Sequence, residues 1–148
     1  MKTQGAFTVI LNENGEVLLA KRRDYPIWDL PGGRMDKLES PVDCAIREAK
    51  EETGYDIKIV EKIGDYNRPE VGDLQHLLVG EIVGGKALVR SDETRALKFY
   101  PIKKLPFLMV PNRKRQIHDG INGIRNESYV LKEPKTIRDY YKAMVTSK

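Results

Sequence analysis

Glu48, Glu51 and Glu52 fall within five consecutive positions of this chain. Spacings of three and four residues bring such side chains together on a helix, where each like-charged pair is unfavourable by about 0.2–0.5 kcal/mol. Glu51 and Glu52 also fall in the last helical turn, where the helix dipole disfavours anions by roughly 0.3–1 kcal/mol each. Both terms oppose the placement, and a sequence that breaks a local rule without local gain tends to mark a functional site. A divalent cation that binds phosphates is the economical compensation. The plain alternative is a solvated acidic helix face. Three features weigh against it. Lys50 is the only lysine inside the helix. Arg47 can pair with Asp43 or Glu51 but not with every acid. Trp28-Asp29-Leu30-Pro31-Gly32-Gly33 precedes the helix, and a glycine pair lets backbone carbonyls approach an ion closely.

The element that must carry these acids can be read residue by residue. Ser40 is an N-cap type, Pro41 suits the first helical position, and Asp43 approximates a capping box with Ser40. Gly54 supplies the stop. Val42, Ala45, Ile46, Ala49 and Thr53 follow the spacing of one buried stripe, which leaves the glutamates on the opposite and flanking arc. Cys44 falls on the arc away from that stripe, with no histidine near it in sequence, and reads as a packing residue.

The segment from Gly33 to Tyr55 resembles the signature of the Nudix hydrolases: Gly, five residues, Glu, seven residues, then Arg-Glu-U-x-Glu-Glu-x-Gly-U, with U a bulky apolar residue. Gly33, Glu39, Arg47, Glu48, Glu51, Glu52 and Gly54 match at the required spacing, while Ala49 and Tyr55 are atypical at the U positions. The Trp-x-Leu-Pro-Gly-Gly lead-in is similar to the family's approach to this box. The resemblance implies a Nudix-type α/β/α sandwich with a mixed β-sheet. It also implies a pyrophosphohydrolase dependent on Mg²⁺ (or Mn²⁺), which cleaves the diphosphate linkage of a nucleoside diphosphate derivative and releases a nucleoside monophosphate. In that family's terms Glu51 and Glu52 are metal ligands, Glu48 is a ligand or base, and Gly33 or Gly32 adds a carbonyl. Arg47 orients a box glutamate and Glu39 anchors the ligands from behind. The chemistry suits the spacing: metals neutralise phosphate oxygens and activate water, and Mg²⁺ takes hard oxygen ligands.

Outside the box, Arg23 stands where Nudix chains often carry a phosphate-facing arginine. Glu93 resembles an acid that some members use as a further ligand or base; a structural loop acid is the alternative. Tyr66 and Arg68 are candidates for binding a base or ribose, or simply cover the sheet. Pro69 follows the box at about the interval seen in ADP-ribose-cleaving relatives, and this favours a nucleotide-sugar or ADP-ribose substrate over a nucleoside triphosphate. His76 and His118 lack metal-ligand spacing. Two other readings compete: a non-catalytic Nudix module that binds a metabolite, and an isopentenyl diphosphate isomerase-like enzyme, for which Cys44 is misplaced.

Length and composition agree with one domain over residues 1–148. Hydrophobic residues make up 40% of the chain, without an apolar run long enough to span a bilayer. Met1 to Gly5 lacks a signal-peptide core, and one cysteine cannot form an internal disulfide; the expected compartment is cytoplasmic. The net charge is +4, and basic residues gather at Lys103-Lys104 and Arg113-Lys114-Arg115. No aromatic residues interleave that second run, so it reads as a solvated helix face rather than a nucleic-acid platform. The expected partner is a small nucleotide, with no membrane; the resemblance allows a homodimer.

Alternation and turn signals place strands at Ala6 to Leu11 and Glu16 to Arg22, joined as a hairpin by Asn12-Glu13-Asn14-Gly15. Further strands are expected at Trp28 to Leu30, Ile57 to Tyr66 with a break of phase at Val60, Gln75 to Val83 and Ala96 to Tyr100. Two later helices are expected, about Asn112 to Ile124 and Lys135 to Val145.

Overall fold

The computed structural model describes residues 3–89, 92, 94–131 and 137–146. Its elements run β1 (Thr3–Ile10), β2 (Val17–Arg22), β3 (Trp28–Asp29), β4 (Gly32–Arg34), α1 (Pro41–Thr53), β5 (Tyr55–Arg68) and β6 (Asp73–Gly85). There follow β7 (Thr94–Tyr100), a short 3₁₀ turn (Ile102–Lys104), α2 (Arg113–Ile121), β8 (Glu127–Val130) and α3 (Ile137–Thr146). A five-stranded mixed sheet has the order β4-β1-β6-β5-β8, and a three-stranded antiparallel sheet has the order β3-β2-β7. β1 is parallel to β6 and β5 is parallel to β8. This is the α/β architecture with a mixed sheet expected from the sequence; β4 and β8 were not.

The Asn12–Gly15 turn forms as its residues dictate. Asn12 Oδ1 accepts from the Asn14 and Glu16 amides, and Gly15 adopts φ 74°. The expected hairpin does not follow. β1 and β2 share only the Leu11–Val17 bridge and then part into different sheets. Each finds longer partners elsewhere: β1 pairs with β6 over eight residues and β2 with β7. The break of phase at Val60 is a β-bulge, since the β5–β6 register shifts between Ile59 and Glu61.

β1 alternates between two core layers. Ala6 and Ile10 face α1, packing with Cys44, Ala45 and Ala49. Val9, with Phe7 packed alongside, faces the larger cluster of Leu19, Ile63, Tyr66, Leu77, Met109 and Ile117. α1 is capped as its sequence demands: Ser40 Oγ accepts from the Asp43 amide at 3.0 Å, and Gly54 ends it at φ 83°.

The buried face of α1 keeps three members of the expected stripe, Ala45, Ala49 and Thr53, but not its two large ones. Val42 and Ile46 are 42% and 37% exposed, while Cys44, Ala45, Ala49 and Thr53 are buried. Small residues let the helix axis sit close to β1 and β4, which turns the larger apolar side chains outward. The same rotation brings Glu48 and Glu52 to the edge of the buried face rather than leaving them opposite it. Among the described residues, no helix is long and apolar enough to cross a membrane.

Candidate functional site

The glycine pair comes first because it sets how near the helix can lie. A Cβ at Gly32 would stand 2.3 Å from the Ala6 carbonyl oxygen, and one at Gly33 would stand 2.7 Å from the Glu48 carboxylate. Only glycine admits the acid so close to the β4 backbone. The Gly32 amide donates to Glu52 Oε1 at 3.0 Å, and the Gly33 carbonyl accepts from Cys44 Sγ at 3.5 Å.

Arg47 occupies the outer edge. Its Nε and Nη2 form a fork on Glu39 at 2.7 and 2.9 Å. Its Nη1 donates to Glu48 at 3.1 Å and to Glu51 at 3.3 Å, and Nη2 reaches the Arg34 carbonyl at 3.2 Å. Arg47 therefore serves three of the four box glutamates. The expected pairing with Glu51 forms, not every acid is served, and the loop over residues 34–39 adds Glu39 as the strongest partner. Hydrogen bonding to Arg47 holds the Glu39 carboxyl at about 2, well below its ordinary value.

Glu48 and Glu52 are a different case. Burial raises the pKa of Glu48, with the Arg47 charge opposing it. Burial raises that of Glu52 well above the ordinary value, and the neighbouring Glu48 and Asp29 add to it against the Gly32 hydrogen bond. Two recessed carboxylates thus lie side by side, Glu48 keeping one arm of Arg47 and Glu52 a single backbone amide. Glu51 is turned to Arg47 with its side chain 51% exposed. Among the described residues no three Asp, Glu, His or Cys groups are gathered as a ready ligand set. The acidic cluster is organised as a recessed pair, Glu48 and Glu52, and an exposed third member, Glu51, with Arg47 holding both Glu48 and Glu51.

Glu48 and Glu52 line a cavity of about 600 Å³ with Gly32, Gly33, Arg22, Arg23, Asp29 and Arg34. A second chamber of about 470 Å³ adjoins it, sharing Phe7, Arg22, Asp29, Gly33 and Arg34. Its other lining groups include Gln4, Gln75, Asn112, Asp73 and Arg68. The first chamber is dominated by charge. The second adds the amides of Gln4, Gln75 and Asn112 and the Phe7 ring to two carboxylates, Asp29 and Asp73, and to arginines, a mixture that can recognise a nucleobase and sugar.

Of the residues singled out in sequence, the structure brings together Arg23, Gly33, Glu48 and Glu52 around the first chamber, with Arg47, Glu39 and Glu51 behind it. Arg68 lies in the second chamber, 3.5 Å from Asp73. Tyr66 does not reach either chamber: its ring is fully buried, stacks on Tyr129, and donates its hydroxyl to Asp119 at 2.7 Å. Its inward position in the β5 pleat makes it core, so its assignment to substrate is corrected. Glu93 lies outside the described residues. Cys44, read as lying away from the buried stripe, is buried, and burial pushes its thiol up to about 12. His76 is also buried, between Asp65, Lys62 and Gln4. Pro69 belongs to the β5–β6 turn, where its carbonyl accepts from Gly72. Arg22, Asp29, Gln75 and Arg113 were missed. An acid inside the Trp-Asp-Leu-Pro lead-in was the one local signal available.

A model of the NUDIX domain matches residues 1–120. A Bacillus subtilis protein named "Putative 8-oxo-dGTP diphosphatase" is 50% identical over 133 residues, covering 90% of this chain and 89% of that one. An ADP-ribose pyrophosphatase of Methanocaldococcus jannaschii is 29% identical over 71% of this chain and 66% of its own. The crystal structure of an ADP-ribose pyrophosphatase from Streptococcus suis superposes with a TM-score of 0.70 over 88% of this chain and all of that one, at 23% identity, and speaks for the fold. The chain belongs to the Nudix family, and with it to the hydrolases that act on pyrophosphate linkages.

Proposed function

We propose that the chain hydrolyses nucleoside triphosphates to a nucleoside monophosphate and pyrophosphate, using Mg²⁺ or Mn²⁺ held by Glu48 and Glu52. The observation that carries the reading is the junction of the two chambers at Gly33, Asp29 and Arg22. A substrate laid across it places its nucleoside among Gln4, Gln75 and Phe7 and its phosphates beside the carboxylate pair. The relative that is 50% identical over nine-tenths of both chains carries a nucleoside triphosphate in its name. Pro69, which favoured an ADP-ribose substrate, lines neither chamber. ADP-ribose remains the second reading on the strength of the archaeal relative.

The donor set fits a hard divalent cation. Two recessed carboxylates lie against a glycine backbone that lets Glu48 approach closely. When bound, the cation neutralises phosphate oxygens and lowers the pKa of a bound water. The chain's own residues do the rest. Arg47 fixes the Glu48 rotamer and, through its fork on Glu39, ties the helix to the loop before it. The Gly32 amide orients the Glu52 carboxylate. Arg22 and Arg23 present positive charge from the opposite wall to the transferred phosphates. Glu51 is a further ligand in this reading, and joins the pair by exchanging its solvent-exposed contact with Arg47. Small-molecule chemistry, a single domain and cytoplasmic action all agree with this reading.

Purified protein with Mg²⁺ should convert guanine nucleoside triphosphates to monophosphate and pyrophosphate, with ADP-ribose turned over more slowly. Turnover in ¹⁸O water should place label on phosphate. Inorganic phosphate as the first product of a triphosphate would refute the reading, as would label in a sugar hydroxyl.

A further inference from the structure

Arg113 stands in the basic run that the sequence presents as a solvated face, yet it is 2% exposed, among the largest fully buried side chains. Its Nε donates to Asp29 Oδ1 at 2.5 Å, and its Nη1 donates to Gln75 at 3.0 Å and Gln116 at 2.9 Å. The guanidinium lies 3.8 Å from the centre of the Phe7 ring. Charges are not buried this way for stability alone, because desolvation offsets much of the attraction; such pairs are weak evidence of a stabilising role. What sets this pair apart is its position. Asp29 is part of the wall shared by the two chambers, and on its far side stands Arg22, with Nη1 3.7 Å from Asp29 Oδ2.

Arg22 is held between two carboxylates of unlike kind. Asp24 bonds it through two contacts at 2.9 and 2.7 Å but is 48% exposed, so water and phosphate can compete for that pairing. Asp29 is buried, and a buried carboxylate without its own cation would seize the nearest guanidinium. Here Asp29 Oδ1 is already saturated by Arg113 and by the Leu30 amide at 2.7 Å. Asp29 therefore stands 3.7 Å from Arg22 without closing on it.

We propose that Arg113 is a positioning residue for the hydrolysis: by neutralising Asp29 it keeps the Arg22 guanidinium available to the substrate's phosphate oxygens where the two chambers meet. Loss of Arg113 lets Asp29 close the gap to Arg22 and withdraw it from the phosphates. Because Arg113 also holds Gln75 and stacks on Phe7, the wall of the nucleoside chamber and the phosphate contact are set by one side chain. The inference rests on the reading of the two chambers as the substrate site.

The test is a double-mutant cycle on the full chain, with KM, kcat and inhibition by inorganic pyrophosphate measured for Arg113→Gln, Arg22→Gln and the double variant. Arg113→Gln should weaken pyrophosphate inhibition and raise KM about tenfold, with a smaller change in kcat, and in the Arg22→Gln background its effect on inhibition should shrink to less than about twofold. An equal effect in both backgrounds, or no effect in a folded variant, would overturn the proposal. If Arg113→Gln does not fold, Asp29→Asn serves instead. It should tighten pyrophosphate inhibition when Arg22 is present and leave it unchanged when Arg22 is Gln; looser or unchanged inhibition with Arg22 present overturns the proposal. A wild-type protein that neither turns over nucleotides nor responds to pyrophosphate would strike the functional reading rather than this inference.

Discussion

Glu39 and Glu52 are the same residue type in the same motif, and the fold treats them in opposite ways. Glu39 receives a two-point fork from Arg47 and is held at about 2. Glu52 receives one backbone amide, sits beside Glu48, and is pushed well above its ordinary value. Glu39 is fully matched within the chain; Glu52 is not, and in the proposed reading that leaves it for a cation. An acid with a full complement of donors is already satisfied and has nothing to offer a cation. An acid pair that lacks them is poised to bind one.

The largest break in this contrast should come at the unmatched end. Glu52→Gln keeps the shape and the Gly32 hydrogen bond but removes the charge, and kcat should fall by about 10²-fold or more, on the order of 3 kcal/mol of barrier. Excess EDTA should abolish turnover of the wild type. Steady-state assays with and without chelator check both, and full turnover in EDTA would remove the metal from the account.

The matched end should respond less. Glu39→Gln weakens the fork that seats Arg47 without touching the reacting groups, and supporting contacts of this kind are worth about 10–100-fold. A loss of about tenfold in kcat is expected, with the metal concentration needed for half-maximal rate rising in parallel. Loss as large as that of Glu52→Gln would erase the distinction between the two acids.

The smallest effect concerns pH and the metal-free protein. A carboxyl whose folded pKa is raised binds its proton more tightly when folded, so its favourable contribution is present at low pH and is lost as pH rises above the ordinary carboxylate range. Glu48 and Glu52 both carry that sign. Glu39 carries the reverse sign, its contribution being lost only as pH falls toward about 2. His76, lowered by burial, also gains with rising pH. As pH rises above the ordinary carboxylate range the metal-free wild type should therefore lose stability relative to Glu52→Gln, and Mg²⁺ should remove the difference by mass action. Paired thermal melts at several pH values measure it; parallel curves for the two proteins would count against an uncompensated pair.

Local chemistry was legible in the sequence wherever cause and effect lie a few residues apart. Ser40 and Gly54 bound α1 as their types require, the Asn12–Gly15 turn forms, and the phase break at Val60 is a real bulge. The box glutamates announced themselves through the repulsion their spacing creates. What sequence did not disclose depends on partners far along the chain. Arg113 looks like one of three exposed basic residues until Asp29, 84 positions away, is placed beside it. Val42 and Ile46 satisfy a helical stripe, but how closely α1 approaches β1 decides which face is buried, and that distance is set by Ala45, Ala49 and the glycines opposite. Tyr66 is chemically able to stack on a base; only its inward place in the pleat makes it core.

The parallel pairing of β1 with β6 has a consequence for the order of events in folding. Thr3 meets Asp73 across 70 positions of chain, a closure that is entropically slow compared with winding α1. Gly32 and Gly33 are held against β1, and β1 is anchored through β6. A cation held between α1 and β4 depends on that long-range closure, so it should slow unfolding far more than it speeds refolding.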